Sequence, residues 1–249
     1  MRPGSERTVQ NTLAVLHTEQ FAQQRAPHPA APPHALPFVT ISRQGGAGGR
    51  TLANKIAEAL NHRDPDDVPW AVWDQELVER VAAEHGIPLA RVQALEESTP
   101  NWLEEALGTL VVSAPATSEH AIYRRVAMTI RALCEMGRVI VVGRGGNFIT
   151  ASLPGGVHLR LVAPLERRIE WIAKTKNLTA EAAAKWVSQT ESARAAFFRR
   201  YFPRKPLSPE TFNATYNTAA TPVERLVESI LALVPSSVTT PQEHSAAHA

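Results

Sequence analysis

The most constraining feature of this sequence is a run of glycines between a predicted strand and a predicted helix. Residues 38–41 are apolar or β-branched, residues 45–49 contain four glycines, and residues 51–60 follow with helical spacing. Glycines at such a turn let backbone N–H groups approach an anion, and the positive end of the helix dipole points to the same place. The pattern predicts a strand, a phosphate-binding loop and a helix.

The loop departs from the common phosphate-binding pattern G-x-x-x-x-G-K-S/T. Gly49 stands in the lysine position, and the first hydroxyl after the glycines comes at Thr51. Arg50 is a candidate for the missing cation, because a guanidinium binds phosphate oxygens through two parallel hydrogen bonds. The alternative is a glycine-rich turn that binds no ligand, and the loop sequence alone leaves both interpretations open.

Length and composition favour one α/β domain with tails. The chain has 249 residues, and the hydrophobic fraction of 44% is enough for a sizeable core. Residues 1–36 are rich in proline and residues 235–249 are polar, so both segments are expected to be disordered. The predicted domain is therefore residues 37–234.

Charge and cysteine content exclude several classes of protein. The net charge of +2 does not favour a nucleic-acid partner, and the single cysteine, Cys134, excludes an internal disulfide and a multi-cysteine metal site. No apolar run reaches the roughly 18 residues of a membrane span, and the N-terminus lacks an apolar signal core. We expect a cytoplasmic protein without a membrane partner, and no metal site built from protein ligands.

The other elements predict a sheet that is mainly parallel. Further strands are predicted over residues 70–73, 138–142, 156–163 and 211–218. Helices are predicted over residues 75–85, 88–112 and 120–136, from residues 164 and 179, and over 222–234 after a Thr221 cap. This order predicts five strands with helices on both sides of the sheet.

Two charged residues follow predicted strands. Asp74 comes directly after the second strand, and Arg144 lies between glycines after the apolar run 139–142. In open α/β sheets, ligands bind beyond the carboxyl ends of the strands. Each residue is therefore a candidate for ligand binding; the alternatives are a helix cap for Asp74, which is compatible with ligand binding, and an ordinary turn with a surface arginine for Arg144.

A third cationic group lies in the predicted helix after Thr179. Arg194, Arg199 and Arg200 are spaced so that they can approach one polyphosphate. The same run is equally compatible with a solvated basic face or a nucleic-acid surface.

These stretches together resemble the cytidylate kinase-like family, a branch of the P-loop nucleoside monophosphate kinases. The resemblance covers residues 37–234 in order and is carried by residues 39–50 (VTISRQGGAGGR), 73–77 (WDQEL), 139–146 (VIVVGRGG), 191–200 (ESARAAFFRR) and 216–218 (YNT). It implies a three-layer α/β/α P-loop NTPase-like fold, with a helical acceptor region and an arginine-bearing lid.

The resemblance also implies an activity and a set of site residues. It implies transfer of the ATP γ-phosphate to CMP, dCMP or a related small acceptor, with Mg²⁺ held mainly by phosphate and water. Asp74 and Arg144 would lie near the acceptor nucleotide, and Arg50, Arg144, Arg194, Arg199 and Arg200 would act in catalysis. The donor phosphates would contact Gly45, Gly46, Ala47, Gly48, Gly49, Arg50 and Thr51. The alternative is an inactive nucleotide sensor or scaffold with the same fold.

Overall fold

The computed structural model describes residues 34–65, 68–74, 76, 78, 106–107, 118–203, 205, 207–235 and 238–239. The helix predicted over residues 88–112 lies almost wholly outside this part of the chain, as does most of the helix predicted over 75–85. Most of the predicted N-terminal lead and C-terminal tail also lie outside it, so the domain boundaries stay predictions.

The described strands form one five-stranded sheet and one short pair. They are β1 (His34–Ala35), β2 (Phe38–Arg43), β3 (Ala71–Asp74), β4 (Val139–Val142), β5 (Gly156–Val162), β6 (Ala214–Asn217) and β7 (Val238–Thr239). The large sheet has the order β3-β4-β2-β5-β6, and all neighbouring strands in it are parallel. The predicted five-stranded parallel sheet is confirmed. The two-residue strands β1 and β7 pair antiparallel outside it.

The described helices are α1 (Gly49–Arg63), α2 (Glu119–Met136), α3 (Gly146–Ile149), α4 (Leu165–Lys176), α5 (Ala180–Tyr201) and α6 (Val223–Leu233). The predicted Thr179 cap is confirmed, because its side chain accepts a hydrogen bond from the N–H of Ala182 at 3.2 Å. The predicted Thr221 cap is wrong, since α6 begins at Val223 with Pro222 at the cap position. The short helix α3 was not predicted. Among the described helices, none is both long and apolar enough to cross a bilayer.

The helices cover both faces of the sheet, which gives the chain three layers. Alternate residues of the central strands point to opposite faces, as the two-residue period of a strand requires. Val39 and Ile41 of β2 pack in the cluster that holds Leu52 and Ile56 of α1 and Leu226 of α6. Phe38 of β2 and the odd-numbered valines of β4 pack instead in the cluster that holds α2.

The candidate site lies at the carboxyl ends of the central strands. Because the sheet is parallel, the carboxyl ends of β2, β3 and β4 meet at one edge. β6 is shorter than predicted, since residues 209–211 form a 3₁₀ turn and the strand begins at Ala214. The segments that follow β2, β3 and β4 therefore lie beside each other.

Candidate active site

The predicted glycine loop lies between β2 and α1. Gly46 and Gly48 have φ of 82° and 74°, a region that side chains other than glycine rarely adopt. A Cβ atom on Gly46 would also lie 2.6 Å from the carbonyl oxygen of Arg168. Gly48 is the N-cap residue of α1, and no described side chain caps that helix end. The first amides of α1 are therefore available to an anion.

Residues of β5, α4 and α5 hold the start of this loop. The N–H of Gln44 donates to the carbonyl of Leu161 at 3.0 Å, and the side-chain oxygen of Gln44 accepts from the N–H of Ala163 at 3.0 Å. The buried Arg168 donates to the carbonyl of Gly45 at 3.1 Å, and the Glu191 carboxylate accepts from the N–H of Gly45. The carbonyl and the N–H of Gly45 are thus both bound by side chains from outside the loop.

Arg50 and Asp74, both predicted site residues, form an ion pair. The Arg50 Nη1 and Asp74 Oδ2 atoms are 2.7 Å apart, with side chains 34% and 13% exposed. The pair joins the start of α1 to the end of β3. The structure brings the two residues together, and it directs the Arg50 guanidinium to a carboxylate.

Arg144 lies in a strained turn after β4. Its φ is 55°, and its carbonyl accepts a hydrogen bond of 2.6 Å from the Tyr123 hydroxyl of α2. The guanidinium carbon lies 5.0 Å from the centre of the Phe197 ring of α5. Burial raises the pKa of Tyr123 well above its ordinary value, so this hydroxyl keeps its proton. The turn is therefore fixed by both α2 and α5.

Arg43 and Arg194 meet Arg144 at the same edge of the sheet. Arg194 Nη1 donates to the carbonyl of Arg43 at 3.0 Å and lies 3.6 Å from a carboxylate oxygen of Glu191. Burial, then the charges of Arg194 and Arg144, lower the pKa of Arg43 to about 9. Burial also lowers the pKa of Arg194. Three guanidinium groups thus share one partly buried space, an arrangement that favours an anion.

The other two predicted arginines of α5 are placed differently. Arg199 and Arg200 are exposed, and Arg200 forms an ion pair with Glu119 at the start of α2. Neither residue lines the two cavities beside the loop. The structure does not bring them to Arg194, and their catalytic role stays a prediction.

Two cavities flank the loop. The first, which we call the apolar cavity, measures about 290 Å³ and is lined by Gly46, Ala47, Gly48, Thr51, Leu52, Lys55, Ala163, Arg167, Trp171, Thr218, Ala219, Val223 and Leu226. The second, which we call the arginine cavity, measures about 100 Å³ and is lined by Ser42, Arg43, Gln44, Gly143, Arg144, Arg160, Glu191, Arg194, Phe197, Phe198 and Leu207.

Sequence reasoning assigned no role to several residues of the site. They include Arg43, Lys55, Arg168 and Trp171. Arg43 carried a usable signal, because it is the one cation between an apolar strand and the glycines. Arg168 and Trp171 carried none, since their role depends on how α4 packs against a loop more than 100 residues earlier in the chain. Within the described residues there is no group of three or more His, Cys, Asp or Glu side chains that would hold a metal.

Comparison with known proteins places the chain in a family. The profile of the cytidylate kinase-like family matches residues 38–220. A cytidylate kinase from Ignicoccus hospitalis is 24% identical over 195 residues, which are 78% of this chain and 97% of that protein.

One solved structure supports the fold, and a second is a more distant match. An uncharacterized protein from Eubacterium ventriosum superposes with a TM-score of 0.60 at 16% identity, over 80% of this chain and 97% of that one. A shikimate kinase from Acinetobacter baumannii, solved with shikimate, has a TM-score of 0.42 at 17% identity, over 80% and 93% of the two chains. The family match spans all five strands of the sheet and the glycine loop. The chain therefore belongs to the cytidylate kinase-like family, which supports its assignment as a kinase-type, nucleotide-binding phosphotransferase.

Proposed function

We propose that this protein transfers the γ-phosphoryl group of ATP to CMP, dCMP or a related small phosphorylated acceptor. One observation carries the proposal: a largely apolar cavity is lined by the glycine loop itself, and a cavity lined by arginines lies at residues 42–44 directly before that loop. A phosphotransferase needs such a pair, because donor and acceptor must meet at the loop that holds the transferred group.

The apolar cavity suits the donor nucleoside. Trp171 of α4 is 40% exposed and lines this cavity together with Val223 and Leu226 of α6. Stacking of a base on an aromatic side chain contributes about 1–3 kcal/mol. Lys55 and Arg167 line the same cavity, and their cationic groups would meet phosphate or ribose oxygens of a bound donor. The donor would then lie with its base on Trp171 and its phosphates on the glycine loop.

The arginine cavity suits the transferred group and the acceptor's anionic end. Arg144 and Arg194 line it beside Ser42, at the edge of the sheet where β2 and β4 end. Their guanidinium groups bind phosphate oxygens in a two-bond geometry and offset the negative charge that otherwise keeps two phosphates apart. An acceptor phosphate placed here would face the end of the donor's phosphate chain.

In this reaction the protein forms no covalent bond to either substrate. The bond between the γ-phosphorus and its bridging oxygen breaks with the electron pair left on ADP, and an acceptor phosphate oxygen forms the new bond. That oxygen is ionised at neutral pH, so no protein base has to remove a proton from it. Positioning and charge neutralisation are the main contributions, and the loop amides and arginines supply them.

Mg²⁺ fits this site as an ion carried mainly by the donor. The described residues hold no cluster of three protein ligands, and Mg²⁺ bound through phosphates and water needs none. Oxygen donors beside the loop include the Thr51 hydroxyl and the Asp74 carboxylate, which lies against Arg50. When bound, the ion would neutralise charge on the donor phosphates, and Asp74 would hold it through water.

The test is a coupled assay of ADP release from Mg-ATP, with CMP, dCMP, UMP, AMP and GMP offered separately. Calorimetric titration of the same nucleotides runs beside it. Acceptor-dependent release with CMP or dCMP is the expected result, and release with another acceptor would correct the base assignment. Saturable binding without release would instead support the sensor alternative. No binding of any nucleotide would contradict the proposal.

A further inference from the structure

We propose that Arg43, the last residue of β2, supplies the cation that lysine supplies in the common phosphate-binding loop and contacts the transferred phosphoryl group. In the common pattern, that lysine reaches the β- and γ-phosphates. Here Gly49 stands in its place. The inference rests on the proposed function and deepens it by naming a residue for the same site.

The Arg43 side chain occupies the space beside Gly49. A Cβ atom on Gly49 would lie 3.0 Å from Cγ of Arg43 and 3.4 Å from its Cβ and Cδ atoms. The stem of Arg43 therefore fills the space through which a side chain at position 49 would leave the backbone. A lysine at position 49 and an arginine at position 43 are alternatives for one volume, and this chain has the arginine.

The Arg43 guanidinium lies against Gly143, in the turn after β4. A Cβ atom on Gly143 would lie 2.1 Å from Nη1 of Arg43. The Arg43 side chain thus runs from the start of α1 across the end of β2 to the turn that carries Arg144. The glycine at position 143 makes room for it. Its guanidinium consequently lies between the phosphate loop and the predicted acceptor-binding arginine, where a phosphoryl group would pass.

The charged groups around Arg43 favour binding of an anion. Within the described residues, no carboxylate lies at ion-pair distance from Arg43, whereas Arg50 is paired with Asp74 at 2.7 Å. Arg43 shares its cavity with Arg144 and Arg194, and more distant Asp74 and Glu191 offset their mutual repulsion only in part. With its pKa near 9, Arg43 is still charged at neutral pH. A phosphate would relieve this repulsion, which is what a site for a transferred phosphoryl group requires.

The test is a double-mutant cycle that restores the common pattern. The variants are Arg43→Ala, Gly49→Lys and the two combined, with Arg225→Ala as a matched control. Arg225 is 74% exposed on α6 and pairs with Glu228, outside both cavities. Each variant is titrated with Mg-ATP and with AMP by calorimetry, and its ADP release is measured with the best acceptor.

We expect Arg43→Ala to reduce turnover by about 100-fold, the scale for losing one charge-stabilising group. It should weaken Mg-ATP binding by about tenfold and weaken AMP binding less, because AMP lacks the outer phosphates that Arg43 would contact. Gly49→Lys alone should also lose activity, since its side chain collides with Arg43. The combined variant should recover at least tenfold over Arg43→Ala.

Wild-type Mg-ATP affinity and turnover in Arg43→Ala would overturn the inference, as would a combined variant no better than Arg43→Ala. Thermal melts check folding, and Arg43→Met keeps most of the stem if the alanine variant is unfolded. If the wild-type protein itself binds no Mg-ATP, the proposed function fails first. If it binds Mg-ATP without turnover, the difference between Mg-ATP and AMP binding alone decides the role of Arg43.

Discussion

The apolar cavity and the arginine cavity differ in size and in the residues that line them. The apolar cavity is the larger, at about 290 Å³ against about 100 Å³, and three helices line it. The arginine cavity is lined mainly by residues at the ends of β2 and β4 and by α5. Helix faces supply shape and apolar contact, whereas strand ends supply focused charge. Under the proposed function, base recognition would belong to the apolar cavity and phosphate chemistry to the arginine cavity.

The two sides are also fixed in different ways. In the arginine cavity, three of the four lining arginines are held by the backbone or by an aromatic ring: Arg194 by the Arg43 carbonyl, Arg144 by Phe197 and Arg160 by the Leu207 carbonyl. In the apolar cavity, Trp171 remains 40% exposed and Lys55 has no described ion pair. We infer that the charged side is preorganised for chemistry and that the apolar side adjusts to its ligand.

The largest effect should come from the arginine cavity. Replacing Arg144 with Ala should reduce turnover by about 100-fold to 1,000-fold, because a charge that stabilises the transferred group is lost. Binding of a non-hydrolysable ATP analogue should change little. Steady-state kinetics and calorimetry measure the two effects. Because Arg144 has a φ of 55°, Arg144→Asn serves as a second variant that tolerates this backbone. Equal losses of analogue binding and turnover would contradict the assignment of phosphate chemistry to the arginine cavity and base recognition to the apolar cavity.

In the apolar cavity we expect a smaller effect, and one on nucleotide binding rather than on turnover. Trp171→Ala should weaken binding of the ATP analogue by about tenfold, the loss of one stacked base, and leave CMP binding unchanged. Fluorescence or calorimetric titration gives both affinities. Trp186, the α5 tryptophan whose ring lies under Lys176, provides the matched Trp→Ala control outside both cavities. A selective loss of CMP binding would instead indicate that the apolar cavity binds the acceptor.

Breaking the ion pair between Arg50 at the start of α1 and Asp74 at the end of β3 should have a modest effect. Arg50→Ala is expected to lower turnover by less than about tenfold, because its guanidinium already binds Asp74. Adding Asp74→Asn should cost less than the sum of the two single changes, since the pair is already broken. Additive effects in this cycle would show that Arg50 contacts the phosphates independently of Asp74.

The smallest effect concerns the sheet that carries both cavities. Burial lowers the pKa of His158 in β5 from 6.5 to about 4, so the folded protein holds this residue neutral. The unfolded chain binds the proton more readily. His158 therefore contributes stability above pH 6.5 that is lost as the pH falls towards 4.

Urea unfolding at pH 7, 6 and 5 tests this prediction against His158→Gln. The variant should lose less stability between pH 7 and pH 5 than the wild-type protein. Thr40, whose hydroxyl lies 2.8 Å from Nδ1 of His158, stays available to the glutamine. Identical pH profiles for the two proteins would contradict a lowered pKa.

Local patterns were sufficient to predict the frame of the fold. The apolar run 139–142 predicted a strand buried on both faces, and every residue of β4 is buried. The four glycines after β2 predicted the loop, whose positive φ values at Gly46 and Gly48 follow from the same residues. These features depend on neighbours in sequence, which is why one sequence is enough to find them.

Long-range packing decided what the sequence could not. The spacing of Arg194, Arg199 and Arg200 suggested one clamp, but α5 directs Arg194 to β2 and Arg200 to Glu119. Arg50 looked like the replacement for lysine because it follows Gly49, and only the fold shows Asp74 beside it and the Arg43 stem against Gly49. Helix spacing tells which residues share a face, and the partner of that face depends on tertiary structure.

The most direct test of this account asks whether the two cavities bind two ligands at once. A non-hydrolysable ATP analogue, with Mg²⁺, is titrated calorimetrically into protein alone and into protein saturated with CMP. The account predicts one analogue per chain in both titrations, with the affinity held or increased by CMP. Loss of analogue binding in the presence of CMP would mean that both nucleotides occupy one site, and would contradict the division between the two cavities.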